Sequence, residues 1–173
     1  AVLGYLDQGG KGIIQASIDT GAFDTFALGD GMIGQSLVDA FGDDMVDTIG
    51  TSPGGTSDAM DNFVKMAKAN KIGGEGPYDG TSYDAGALIA LAIQAGGSAD
   101  RASIQANMMG VANAPGTKIY PGELKKALEI LAAGGEVDYV GATNIEFSDV
   151  GEVFGTYRQL EIKDDKFSLV KVR

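Results

Sequence analysis

The sequence predicts an α/β fold with a mostly parallel sheet. In the first third, short apolar runs alternate with short stretches of helical spacing, separated by glycine breaks. The middle is helix-rich, with apolar stripes ending at glycines. The last residues switch to an apolar–polar alternation of period two, the signature of a β-hairpin.

Taken in order, Ala1-Val2-Leu3-Gly4-Tyr5-Leu6 reads as a strand broken by Gly9-Gly10. Ile13, Ile14, Ser17 and Ile18 then follow at helical spacing, and Gly21 is placed to cap that helix. Residues 25–28 are expected to form a short strand, 35–41 a short helix, and Met45 to Gly50 the next strand. Ser57 stands as an N-cap before the stripe Met60, Phe63, Val64 and Ala67. Gly73-Gly74-Glu75-Gly76-Pro77 is a candidate linker or crossover. Tyr83 to Ala95 is apolar almost all round and predicts a buried helix, ended by Gly96-Gly97. Ser98 is the expected cap of a further helix through Ile104 and Met108, and Gly122 to Ala133 predicts another, with Gly134 after it. Thr156 to Ile162 and Phe167 to Val172 form the expected hairpin around Lys163-Asp164-Asp165-Lys166.

Composition narrows the chemistry. With 173 residues, 44% hydrophobic and 21% charged, the chain has enough apolar content for a packed core. Its net charge of −11, with no cluster of Lys or Arg denser than Lys125-Lys126, argues against nucleic acid and anionic membrane surfaces as partners. No apolar run approaches the ~18 residues of a membrane span, so no direct membrane insertion is expected. The count of histidines is 0, which removes Ser-His and Cys-His nucleophiles and imidazole metal sites. An enzyme built on this chain would have to rely on carboxylates, Lys, Tyr or a cofactor, and no catalytic residue, cofactor site or metal site is assigned from the sequence. The chain starts on a strand-like segment without Met or a signal peptide, and is expected to be a fragment or a processed product.

Two glycine motifs need weighing. Gly50-Thr51-Ser52-Pro53-Gly54 matches G-x-S-x-G, but the serine has no histidine base and Pro53 lacks the N–H that an oxyanion hole needs, so a strand-ending turn is expected. Gly29-Asp30-Gly31-Met32-Ile33-Gly34 matches G-x-G-x-x-G, the pattern of a dinucleotide loop between strand and helix. Asp30 stands inside it, and a carboxylate suits a cationic group, such as an ammonium, better than a phosphate. A plain structural turn is the third reading. Tyr5 ends the first strand, at the carboxyl edge where open α/β sheets take ligands, and its ring could face a cation. Tyr78 and Tyr83 flank the turn into the apolar helix, as cleft walls or as packing. The acidic turns Asp43-Asp44, Asp164-Asp165 and Asp149 with Glu152 lack calcium-loop spacing and read as solvated.

From Tyr83 onward the sequence resembles the C-terminal part of periplasmic substrate-binding proteins of branched-chain amino acid transport. The carrying segments are Tyr83-Asp84-Ala85-Gly86-Ala87-Leu88, Ala127-Leu128-Glu129-Ile130-Leu131-Ala132-Ala133-Gly134, Asp138-Tyr139-Val140-Gly141-Ala142, Ile145-Glu146-Phe147 and Glu161-Ile162-Lys163-Asp164-Asp165-Lys166-Phe167. Upstream, Gly4-Tyr5 and Gly29-Asp30-Gly31 fall in the family's order, while Ala142-Thr143-Asn144-Ile145 is shorter than its pattern.

The resemblance implies a type I periplasmic-binding fold of two α/β lobes with parallel sheets and helices on both faces, the ligand held in the cleft. Family members are about twice this long, so the chain corresponds to a C-terminal half. Residues 1–75 would be part of the second lobe. Residues 76–150 would be helices returning to the first, and residues 151–173 the hinge crossing and terminal strands. It implies a solute-binding component of an ABC importer for an amino acid or a related amine or amide, periplasmic, with a membrane permease as partner. By position, Asp30 would hold the ligand ammonium, Tyr5 would pack over it, and Tyr78 would match an aromatic lining the cleft. Two other functions remain: a ligand-sensing domain of the same fold in a receptor or regulator, and a nucleotide-binding enzyme using the Gly29–Gly34 loop.

Overall fold

Apolar residues between glycine and aspartate breaks give short strands, and the longer periodic stretches give helices. The computed structural model describes residues 1–173. In chain order the elements are α1 (Lys11–Thr20), β1 (Ala27–Leu28), α2 (Gln35–Phe41), β2 (Ile49–Pro53), α3 (Asp58–Ala69), α4 (Asp79–Gly96), α5 (Arg101–Ala112), β3 (Thr117–Ile119), α6 (Leu124–Ala132), β4 (Val137–Tyr139), β5 (Tyr157–Lys163) and β6 (Lys166–Val172). They fall into two compact units, one of Ala1–Gly55 with Thr156–Arg173, the other of Thr56–Gly155.

The first unit is built on a sheet of order β1-β2-β5-β6. The β1–β2 pair is parallel, with Leu28 opposite Gly50, and the antiparallel hairpin β5–β6 is added beside β2. Leu6, Ile14, Phe26, Leu28, Met32, Leu37 and Met45 form its core. The expected hairpin is present. Asp164 and Asp165 make its turn, both at positive φ (50° and 55°), the backbone that matches the twist of two-residue hairpin loops. Gly21, at φ 64°, caps α1 as its position predicts.

The second unit packs α4, α5 and α6 around the parallel pair β3–β4. Its core holds Leu88, Leu91, Val111, Ile119, Val137 and Tyr139. Phe63 of α3 meets the ring of Tyr83 at 5.2 Å between centroids. Ser57 caps α3 by accepting from the Met60 amide at 3.1 Å, as expected. Near its centre lies a buried carboxylate. Asp84 accepts the Tyr139 hydroxyl at 2.9 Å, the Ala142 and Thr143 amides at 2.8 and 2.9 Å, and the Thr143 hydroxyl at 2.6 Å. This joins two of the segments that carry the family resemblance. Gly141, at φ 62°, is required there: a Cβ would run into the Asp84 carboxylate and the Tyr139 ring.

Several expected elements differ. The N-terminal strand reduces to a single parallel bridge, Val2 with Leu28, because Leu6–Gly10 wind into a π-type turn through Gly9 at φ 99°. The strand expected over Met45–Gly50 begins only at Ile49. Gly42–Met45 coil into a 3₁₀ turn that buries Met45, and Asp47 sits at φ 67°. Helix α4 starts at Asp79 rather than Tyr83, since the Asp79 carboxylate accepts the Gly74 and Gly76 amides at 2.7 and 3.0 Å and draws the glycine-rich segment onto the helix start. That helix is buried on one face only, with Ile89 45% exposed. The cap of α5 is Asp100, and Ser98 instead bonds to it through its hydroxyl.

Candidate functional site

The carboxyl ends of the parallel strands in the first unit open onto a depression of about 260 Å³ lined by Leu3, Gly4, Tyr5, Gly29, Asp30 and Gly31. Crevices outside the carboxyl ends of parallel strands are where open α/β sheets bind ligands. Two loops form it. One leaves the Val2 bridge, the other leaves β1, and the Gly29 amide ties them by donating to the Val2 carbonyl at 3.1 Å.

The second loop turns tightly over Asp30–Met32. Gly31 has no side chain for a local steric reason: a Cβ there would lie 2.5 Å from the Gly4 carbonyl oxygen and 3.1 Å from the Tyr5 ring. This glycine therefore records the close approach of the Tyr5 loop. The same packing brings Tyr5 and Asp30 to one depression. Tyr5 is 66% exposed, so its ring face is open, while its carbonyl is anchored by the Gln8 and Gly10 amides at 3.1 and 3.0 Å.

Asp30 is half-buried, and one carboxylate oxygen, Oδ1, accepts the Gly31 amide at 2.8 Å. Its other oxygen accepts no hydrogen bond from the protein. No Lys or Arg lines the depression, and Lys11 is the only basic residue before Lys65. Four of the loop amides are already engaged: Gly29 to Val2, Gly31 to Asp30, Met32 to the Gly29 carbonyl and Ile33 to the Asp30 carbonyl. A phosphate cradle needs such amides free and pointing outward. The arrangement is suited instead to a cation, offered a free carboxylate oxygen and an aromatic face.

Of the three residues predicted from sequence, Tyr5 and Asp30 thus line one depression. Tyr78 belongs to the other unit, at the N-cap of α4, where its carbonyl accepts the Ser82 amide at 2.9 Å. Leu3 and Gly4 were not singled out; the alternation Leu3–Tyr5 leading off the first strand is the signal that could have found Leu3. In the G-x-S-x-G segment, Ser52 is buried on β2 and accepts Arg158 Nη2 at 2.9 Å, so it forms part of the sheet and presents no exposed nucleophile. No helix is long and apolar enough to cross a membrane.

This mixed α/β architecture is that of part of a type I periplasmic-binding-protein fold, here the portion with the C-terminal strand pair. A solved structure of a leucine-binding protein from Thermotoga maritima superposes with a TM-score of 0.66 at 19% identity, over 98% of this chain and 42% of that one. The chain thus spans less than half the length of that structural neighbour, which is a binding protein by its description. No protein-family profile matches the sequence. No curated protein matches it either.

Proposed function

We propose that this chain is the ligand-contacting portion of a solute-binding component of an ABC importer, taking an amino acid or a related amine or amide. The observation that carries the reading is Asp30: a half-buried carboxylate with one free oxygen, beside the open Tyr5 ring, at the carboxyl edge of parallel strands. Its Oδ2 would accept a charge-assisted hydrogen bond from the ligand ammonium, with Tyr5 packed over that group. The fold shared with a leucine-binding protein supports a solute-binding role. Engaged loop amides weigh against the nucleotide enzyme.

The lobe assignment belongs to the same proposal: residues 1–75 in the second lobe, 76–150 returning to the first, 151–173 crossing the hinge. So do a branched-chain specificity, a periplasmic location, a permease as docking partner, and Tyr78 as a further aromatic against the ligand. Ligand binding in such proteins closes the lobes by hinge motion.

Calorimetric titration with the amino acids and their amides tests it. At least one ligand should bind with the ammonium required, and Asp30→Ala should weaken it by about 2–5 kcal/mol, roughly 30- to several-thousand-fold. Equal affinity in the variant would remove Asp30 from the site.

A further inference from the structure

Asp-Gly occurs at two places in the chain, Asp30-Gly31 and Asp79-Gly80, and Asn-Gly at none. In an Asp-Gly link no side chain on the second residue shields its amide nitrogen. That nitrogen can attack the aspartate Cγ and close a five-membered imide. Whether it does so depends on where the fold holds the carboxyl group, and the two links are held in opposite ways.

At Asp79 the carboxylate is drawn backwards along the chain. Its Oδ2 accepts the Gly74 and Gly76 amides at 2.7 and 3.0 Å, and Gly80 is buried in the first turn of α4. Attack there would break both bonds and unwind the helix start. At Asp30 the carboxyl group leans forwards. Its Oδ1 accepts the Gly31 amide itself at 2.8 Å, so the attacking nitrogen lies no further from Cγ than that contact plus one C–O bond. Oδ2 has no protein donor to hold the group away, and the backbone here is a single 3₁₀ turn, Asp30–Met32. Both residues of the link are partly exposed, so water reaches it.

We propose that Asp30-Gly31 is a site of self-modification, at which aspartate isomerises to isoaspartate through a succinimide. The Gly31 nitrogen gives up its proton and bonds to Cγ of the Asp30 carboxylic acid. The Cγ–OH bond breaks and one water leaves. Water then opens the imide. Cleavage of the new N–Cγ bond restores aspartate. Cleavage of the original peptide bond leaves the chain running through Cβ and Cγ, with the former main-chain carbonyl as a free carboxylate. The net change is an isomerisation and consumes no co-reactant. Its local effect is large. The Asp30 carbonyl that accepts the Ile33 amide at 3.0 Å leaves the main chain. The backbone also gains a methylene beside Gly31, where a Cβ would already collide with the Gly4 carbonyl. The chemistry stands on the loop alone; the loss of ligand binding that follows rests on the reading of Asp30 above. In that reading a cation on Oδ2 holds the carboxylate in its charged form, whereas attack takes the neutral acid, so an occupied site ages more slowly.

The test ages the whole chain in mildly acidic buffer, folded and in urea, until the urea sample shows isoaspartate at both links. Peptide mass spectrometry with fragmentation that separates isoaspartate from aspartate reads each site. In the folded chain a species lighter by one water, and then isoaspartate, should appear at Asp30. It should exceed that at Asp79 by about tenfold or more, because reaction at Asp79 first requires local opening of a helix start. In urea the two links should age alike. Isoaspartate absent at Asp30 in the folded chain, or equal at the two links there, overturns the proposal. Asp30→Glu keeps the charge but would have to close a six-membered ring, and should stay unmodified at that position. Saturating L-leucine or isopentylamine should slow the folded reaction at Asp30 and leave Asp79 unchanged. If neither slows it while isoaspartate still forms at Asp30, the ammonium reading fails and the modification site stands.

Discussion

Two aspartates, one in each unit, show how differently the same side chain can be employed. Asp84 is 1% exposed and accepts four hydrogen bonds, from a tyrosine, a threonine and two amides. Asp30 is half-buried and accepts one, from the amide of the next residue. Asp84 has no acceptor capacity left for a ligand and joins α4 to the loop after β4. Asp30 keeps an oxygen unused beside an exposed aromatic ring. Saturation distinguishes the two: a carboxylate with every lone pair answered is structural, and one held in place but only half answered is available for binding.

The sharpest way to break the contrast is to remove each carboxylate in turn. Asp84→Ala leaves buried donors without an acceptor and should cost about 3–5 kcal/mol of unfolding free energy, read by denaturant melts. Asp30→Ala should do the opposite, keeping stability within about 0.5 kcal/mol while ligand affinity falls as set out above. Comparable stability losses in both would erase the distinction.

Tyr139→Phe tests one bond of the saturated set and should cost about 1.5–3 kcal/mol, as a bond to a charged acceptor. Burial first, then the neighbouring Asp84 charge and hydrogen bond, hold the Tyr139 hydroxyl above its ordinary range. A folded pKa above the unfolded one means this contribution is complete below about pH 10 and declines as pH rises past it. The parent should therefore lose stability in alkali more steeply than Tyr139→Phe. Glu123 is the weakest case. It accepts the Tyr120 amide at 2.9 Å and pairs with Lys126 at 3.0 Å, both of which hold its carboxyl below the usual glutamate range, the amide more strongly. Its contribution is present above that range and is lost as pH falls through the lowered folded value. With the side chain 36% exposed, Glu123→Gln should change stability by less than about 1 kcal/mol, a difference that disappears in acid.

The sequence shows local features more readily than distant ones. The cap at Ser57, the stop at Gly21 and the Asp164-Asp165 hairpin depend on neighbours in the chain, and the local order of residues exposes them. The spacing places a strand over Met45–Gly50, whereas the strand is Ile49–Pro53, because Met45 packs into the core of the first unit, a role fixed by what packs over it. Asp30 and Tyr5 could be singled out because each ends a strand-like run. Their sharing of one depression depends on Gly31 fitting beneath the Tyr5 ring, which no spacing rule reveals. No local pattern marks Arg158. Its partners Ser52 and Pro53 lie 106 and 105 residues away in the chain.

The pairing of β2 with β5 carries one more consequence. Pro53 faces Tyr157, and the Gly54 amide donates to the Thr156 carbonyl at 2.9 Å, just where the chain departs into Thr56–Gly155 and returns. Topologically these strands are a hairpin whose connection is the segment Thr56–Gly155. Joining Gly55 directly to Thr156 would restore an ordinary tight hairpin and leave every strand of the four-stranded sheet in register. The chain thus leaves the first unit after Gly55 and re-enters it at Thr156, at neighbouring positions of one strand pair.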